Sequence, residues 1–187
     1  MAIVNGFDTN KLKMAMCGCK RYEIYKENDF YYLTNGYVMV KCGFDVVAKT
    51  LVNLPELKIP NNGYGYMFTD EDGWSDSSIS MLHKYFEYVN SNHRVYQERF
   101  HNVKEFKQIQ HEERRDGYVY SYPCIVCELD NGEKVLLNKK YADVLAKAKK
   151  WDCFAECKDC LSCVHFMNKQ NILEAWICPI RYKEGAI

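Results

Sequence analysis

Proline is scarce in this chain, four among 187 residues, and glycine occurs only ten times, which excludes collagen-like and other low-complexity architectures. There is no net charge either, since 25 Lys and Arg offset 25 Asp and Glu. No stretch approaches the roughly 18 uninterrupted apolar residues of a membrane span. The opening Met1-Ala2-Ile3-Val4-Asn5-Gly6 has no basic run leading into an apolar one. Glycine-rich phosphate loops of the Walker or dinucleotide kind are missing as well. These absences point to a soluble, cytoplasmic protein with no membrane partner. What is present supports one sizeable core: 48% of residues are hydrophobic and 14% aromatic, in a chain short for two domains. A single domain over 1–187 is expected. Ten cysteines in an unexported chain count as thiols or metal ligands before disulfides.

The neutral total hides an asymmetry. Segments 9–21 and 138–150 hold nine basic residues, Lys11, Lys13, Lys20, Arg21, Lys139, Lys140, Lys147, Lys149 and Lys150, against the single acid Asp143. The rest of the chain is acidic by the same margin. Both segments read as amphipathic helices. Leu12, Ala15, Met16 and Cys19 recur at i, i+3, i+4, i+7 behind a cap at Asp8 or Thr9, and Tyr141, Val144, Leu145 and Ala148 repeat that spacing behind Asn138. A shift of 129 positions lays Lys11 on Lys140, Leu12 on Tyr141, Met16 on Leu145, Arg21 on Lys150 and Tyr25 on Phe154. The match predicts an internal duplication of a helix followed by a strand.

The surroundings are β-rich. Residues 118–127 and 134–137, separated by Asp130-Asn131-Gly132, predict a hairpin ahead of the second helix. Residues 151–157, 162–167 and 175–180 predict three strands after it, as 22–25, 30–33 and 37–40 do after the first. The reading is α+β, with two β-α-β-β-β halves over about 1–60 and 117–187 and a partly helical central insertion over about 61–116. Within the insertion, 61–65 and 69–73 read as loops, and helices are expected at 79–89 and 95–109.

Duplicated halves with two basic helices resemble the building plan of the DNA sliding clamps, and two motifs are similar to the bacterial members of that family. Leu33-Thr34-Asn35-Gly36-Tyr37-Val38-Met39-Val40 resembles the family's Ala-Thr-Asp-Gly-His-Arg-Leu-Ala. Asn138-Lys139-Lys140-Tyr141-Ala142-Asp143-Val144-Leu145, followed by Ala175-Trp176-Ile177-Cys178-Pro179-Ile180-Arg181, resembles its Asn-x-x-Tyr-Leu-x-x-x-Leu and Val-Met-Pro-x-Arg elements. Asn35 stands where the family has an acid. A clamp subunit holds three such domains, so a one-domain chain needs six copies or other subunits to close a ring.

The resemblance implies a non-enzymatic DNA-binding or replication accessory protein with no cofactor. Its duplex contact would be Lys13, Lys20, Arg21, Lys139, Lys140, Lys147 and Lys150, acting as diffuse positive charge that holds phosphates without reading bases. The alternative partner is a replication or host protein, met by a clamp-fold interaction module of the kind a phage or mobile element encodes.

A cysteine reading competes. Cys153-x3-Cys157-x2-Cys160-x2-Cys163 matches the three-cysteine spacing of iron–sulfur radical enzymes with a further thiol nearby, and Cys124-x2-Cys127 with Cys160-x2-Cys163 could hold zinc. Against both, strand alternation separates i from i+3. Buried thiols packing as small hydrophobes are the simpler expectation. His83, His93, His101 and His111 lack the partners of a helical zinc motif, while His165 near Cys163 leaves a Cys-His nucleophile open.

Overall fold

The computed structural model describes residues 3–18, 21–51, 58–77, 100–146, 152–156, 163–167 and 174–180. A short hairpin, β1 (Ile3–Val4) and β2 (Phe7–Asp8), delivers the chain to α1 (Thr9–Cys17). The Asp8 carboxylate accepts the Asn10 and Lys11 amide hydrogens and so caps the helix. Thr9, Leu12, Ala15 and Met16 are buried, the stripe that the spacing predicts. Gly18 ends the helix because a Cβ there would come within 2.6 Å of the Met14 carbonyl oxygen.

The aromatic and β-branched runs that follow form β3 (Arg21–Glu27), β4 (Phe30–Thr34) and β5 (Val38–Cys42), an antiparallel meander. Next comes α2 (Phe44–Leu51), which the sequence reading misses because Val46 and Val47 favour a strand. It forms because Val46, Val47, Thr50 and Leu51 fall on one helical face, all buried, and α2 packs against α1. The stretches expected as loops, 61–65 and 69–73, flank β6 (Gly65–Thr69) and supply its turn to β7 (Gly73–Ser77), the two strands forming a hairpin that the sequence reading does not contain. Phe68 and Trp74 hold it down, with ring centroids 5.2 and 5.6 Å from Tyr22.

The second long stretch begins with β8 (Phe100–Arg115) and β9 (Tyr118–Leu129), then β10 (Lys134–Asn138) and α3 (Lys139–Ala142). It ends with β11 (Asp152–Glu156), β12 (Val164–Met167) and β13 (Glu174–Ile177). Two helical expectations are corrected here. The helix expected at 95–109 is replaced over its described part by β8. Val103, Phe106 and Ile109 share helical spacing, yet both faces of the strand find apolar cover. Phe106 stacks on Phe166 at 6.1 Å, whereas Ile109 packs with Cys124, Val126 and Leu136 on the other side. Over its described part, 138–146, the second basic helix stops after one turn. Leu145 leaves the helical ladder to bridge Phe7, the Ala146 amide donates to the Gly6 carbonyl, and Asp8 donates to Val144. Competition from the β1–β2 hairpin therefore overrides the helical spacing of Tyr141, Val144 and Leu145. The helix expected at 79–89 lies outside the described residues.

The protein is α+β and strand-rich. Among the described residues its main sheet has eleven strands in the order β10-β9-β8-β11-β12-β13-β5-β4-β3-β6-β7, with antiparallel pairing throughout. From the central β13–β5 pair the order runs β5-β4-β3 on one side and β13-β12-β11 on the other. The chain after β13 then crosses back to the β10 edge: Pro179 bridges Leu137, and the Ile180 amide donates to the Leu136 carbonyl at 2.7 Å. The main core, which includes Leu12, Met16, Ile24, Leu33, Val40, Leu137 and Phe166, lies between the sheet and the helices. Tyr32, Met39 and Trp176 form a separate small cluster, as alternation along β4, β5 and β13 requires.

Candidate functional site

Asn35 organises the junction between the first motif and α1. Its side-chain oxygen accepts the Tyr37 and Val38 amides at 2.9 and 3.0 Å, while its Nδ2 donates to the Ala15 carbonyl at 2.8 Å. Asparagine can make both kinds of bond; an aspartate would set a carboxylate against the Ala15 carbonyl. Gly36 takes the positive φ of +86° that the turn needs. Both elements of the second motif meet the first at this place. Tyr37 stacks on Tyr141 with centroids 5.5 Å apart, and the Cys178 amide donates to the Tyr37 carbonyl at 2.9 Å.

Beside this junction α1 and α3 pack together, and with the base of the β8–β9 hairpin they enclose an open groove of about 610 Å³. Lys11 and an exposed Met14 come from α1, Lys139 and Lys140 from α3, and Gln108 and Gln110 from β8. Asn138 caps α3 by accepting the Lys140 amide and lines the same groove. Among the described residues neither Lys11 nor Lys140 has a carboxylate partner. Lys140 Nζ lies 5.6 Å from the Tyr141 ring centre, a cation held over a π face.

The expected basic residues divide. Lys140 and Lys139 line the groove, but Lys139 is engaged with Asp143 at 2.6 Å. Lys13 is half-buried, one helical turn before Cys17. Burial raises the Cys17 thiol, with the Lys13 ammonium pulling it down and the Asp70 carboxylate pushing it up. Arg21 sits at the start of β3, bonded to Glu23 at 2.5 Å. Lys20, Lys147 and Lys150 lie outside the described residues. Lys11, counted in the basic segment but left out of the expected duplex contact, is a groove residue. Gln108 escapes the sequence reading because a helix over 95–109 hides its strand face, and Gln110, just past that helix, shares the face only once β8 is known.

The opposite side of the sheet carries a polar cluster. His165, 2% exposed, stacks on Trp176 at 4.3 Å, and its Nε2 lies 2.8 Å from Glu174 Oε2. Lys41 Nζ donates to Glu174 Oε1 at 2.8 Å. Burial opposes ionisation of Glu174, but the hydrogen bonds and charges of His165 and Lys41 outweigh it and hold the carboxyl below its ordinary range. Register explains the grouping: Glu174 is paired with Lys41 across β13–β5, and His165 with Trp176 across β12–β13.

Of the two metal readings, the structure bears on the zinc one, whose first pair it separates. Cys124 and Cys127 are buried on opposite faces of β9, in different clusters, and burial pushes their thiols up to about 11 and about 12. Cys163 Sγ lies 3.3 Å from Cys178 Sγ, a neighbour the spacing gives no hint of. Cys157 and Cys160 lie outside the described residues, as does the side chain of Cys153. Among the described residues no group of three or more His, Cys, Asp or Glu is placed to hold a metal, and no helix is long and apolar enough to cross a membrane. Comparison with known proteins returns no matching family model, no matching curated protein and no matching solved structure.

Proposed function

We propose that this chain is a non-enzymatic, clamp-like binding protein whose α1–α3 face holds duplex DNA by its phosphates, without reading bases. The observation that carries the reading is the meeting of Lys11 and Lys140, from two helices, on one open groove with amide donors from Gln108 and Gln110. Ammonium groups without carboxylate partners attract a polyanion and release its counterions, while side-chain amides add hydrogen bonds to phosphate oxygens. The duplicated-halves reading is supported by the strand order, which leaves the β13–β5 pair through matching triplets. The convergence of Tyr37, Tyr141 and Cys178 supports it as well, because each comes from one of the clamp-like motifs.

The test is duplex binding by fluorescence anisotropy with several unrelated sequences. Equal affinities for all of them, abolished together in the Lys11→Glu, Lys140→Glu double variant, are expected. Strong preference for one sequence, or binding unchanged by the double reversal, overturns the reading.

A second reading, a protein-interaction module, rests on the β8–β9 hairpin. Its tip beyond the Ile109–Cys124 pair extends past the last β10 partner, and Tyr118, Val119 and Tyr120 are 69%, 57% and 50% exposed there. Exposed tyrosines on a projecting ribbon suit a protein partner. Under that reading Tyr118→Ser with Tyr120→Ser abolishes partner binding and leaves duplex affinity as it was.

A further inference from the structure

Cys163 directly precedes β12, and Cys178 directly follows β13. The register of these strands pairs Val164 with Ile177, so Cys163 and Cys178 are the next opposed pair. Cys178 donates its amide hydrogen away from β12, to the Tyr37 carbonyl. A residue's N–H and C=O point to the same side in an antiparallel ladder, so the two cysteines face each other as a non-hydrogen-bonded pair. Cα atoms in such pairs approach to about 4.5 Å, inside the range that a disulfide spans. The side chains agree: the sulfurs lie 3.3 Å apart, and both residues are half-buried, unlike the fully buried Cys42 and Cys127. Cys178 Sγ also lies 3.6 Å from the Gly36 carbonyl oxygen. The Cys163 hydrogen bond, working against burial, draws the Cys178 thiol below its ordinary value, whereas burial raises Cys42, Cys124 and Cys127.

We propose that Cys163 and Cys178 form a thiol–disulfide exchange site that is oxidised by low-molecular-weight disulfides. The Cys178 thiolate attacks one sulfur of the small disulfide, forming a mixed disulfide and expelling one thiolate. Cys163, deprotonated, then attacks Cys178 Sγ, closing the Cys163–Cys178 bond and expelling the second thiolate. The two protons given up by the protein thiols end on the two expelled thiolates. The protein sulfurs are thus oxidised and the small disulfide is reduced to two thiols. Position gives the bond a consequence. Cys178 opens the three-residue clasp in which Pro179 bridges Leu137 and Ile180 donates to Leu136, so the bond ties β12 to the point where the sheet closes on β10. The exchange chemistry is independent of duplex binding.

The experiment equilibrates the full chain in buffers of graded reduced-to-oxidised glutathione ratio, quenches by alkylation, and maps cysteines by peptide mass spectrometry. The expected result is a joined peptide pair holding Cys163 and Cys178, while Cys42, Cys124 and Cys127 stay alkylated. Amide exchange at Ile180 should slow about tenfold on oxidation. Cys163→Ser should stop at a stable glutathione adduct on Cys178, in protein whose far-UV spectrum is native. Alkylation of both cysteines at every ratio in native protein overturns the proposal, as does a bond from Cys178 to another cysteine. An adduct-free Cys163→Ser variant of native spectrum also overturns it.

Discussion

The segments that hold α1 and α3 begin from one design and end differently. Each has a capping side chain, a lysine-bearing face and an apolar stripe at i, i+3, i+4 spacing. α1 runs nine residues, while α3 closes after four. Leu12 and Met16 are buried from a helix; Leu145, the counterpart of Met16, is buried from a turn whose backbone bridges Phe7. The lesson is that the stripe specifies which side chains enter the core, and tertiary hydrogen bonding decides which backbone delivers them.

The sharpest way to break the comparison is to empty the two stripes. Leu12→Ala and Leu145→Ala should each cost about 3 kcal/mol in urea unfolding, because both side chains are buried in the same core. A cost below about 1 kcal/mol for Leu145→Ala would mean that the segment after α3 contributes no core and that the equivalence is only a pattern. Asn35→Asp comes next. It restores the acid found in the clamp motif but removes the donor to Ala15, and should cost about 2 kcal/mol. If Asn35→Asp is neutral, the link between the turn and α1 is not made by that amide.

Capping gives a smaller contrast. Asp8→Ala should cost about 1 kcal/mol, since the carboxylate serves two amides at the start of a nine-residue helix. Asn138→Ala, removing a single bond at the head of four residues, should cost less than Asp8→Ala under identical conditions. Glu174 supplies a pH-dependent contrast with the helical side of the sheet. Its folded carboxyl is depressed, so its stabilising contribution is complete above the unfolded value near 4.5 and is lost as pH falls through the folded value. Denaturation midpoints measured downward from pH 6 should therefore drop more steeply for the unmodified chain than for Glu174→Gln; parallel curves would remove Glu174 from the account.

Local chemistry made part of this fold legible. Asp130-Asn131-Gly132 marks the β9–β10 turn, and the aromatic runs around Tyr22, Tyr31 and Val40 mark three strands that the structure contains. What stayed hidden depends on distant partners. Val46 and Val47 choose a helix because α1 offers a surface for it, and Phe106 and Ile109 choose a strand because each face has its own cluster. The groove was half legible: Lys139 and Lys140 were expected, while Gln108 comes from a segment read as helical and Gln110 from just beyond it. The Cys163–Cys178 pair, fifteen residues apart, becomes visible only once the β12–β13 register is known.

The central claim is that the α1–α3 face holds phosphates by charge, and its most direct measurement is the salt dependence of duplex affinity. A plot of log affinity against log salt should fall steeply for the unmodified chain. Its slope should shrink by about 0.9 for each phosphate that is no longer neutralised, hence by nearly two in the Lys11→Glu, Lys140→Glu variant. A slope near zero, or one that the double reversal leaves unchanged, would contradict the account.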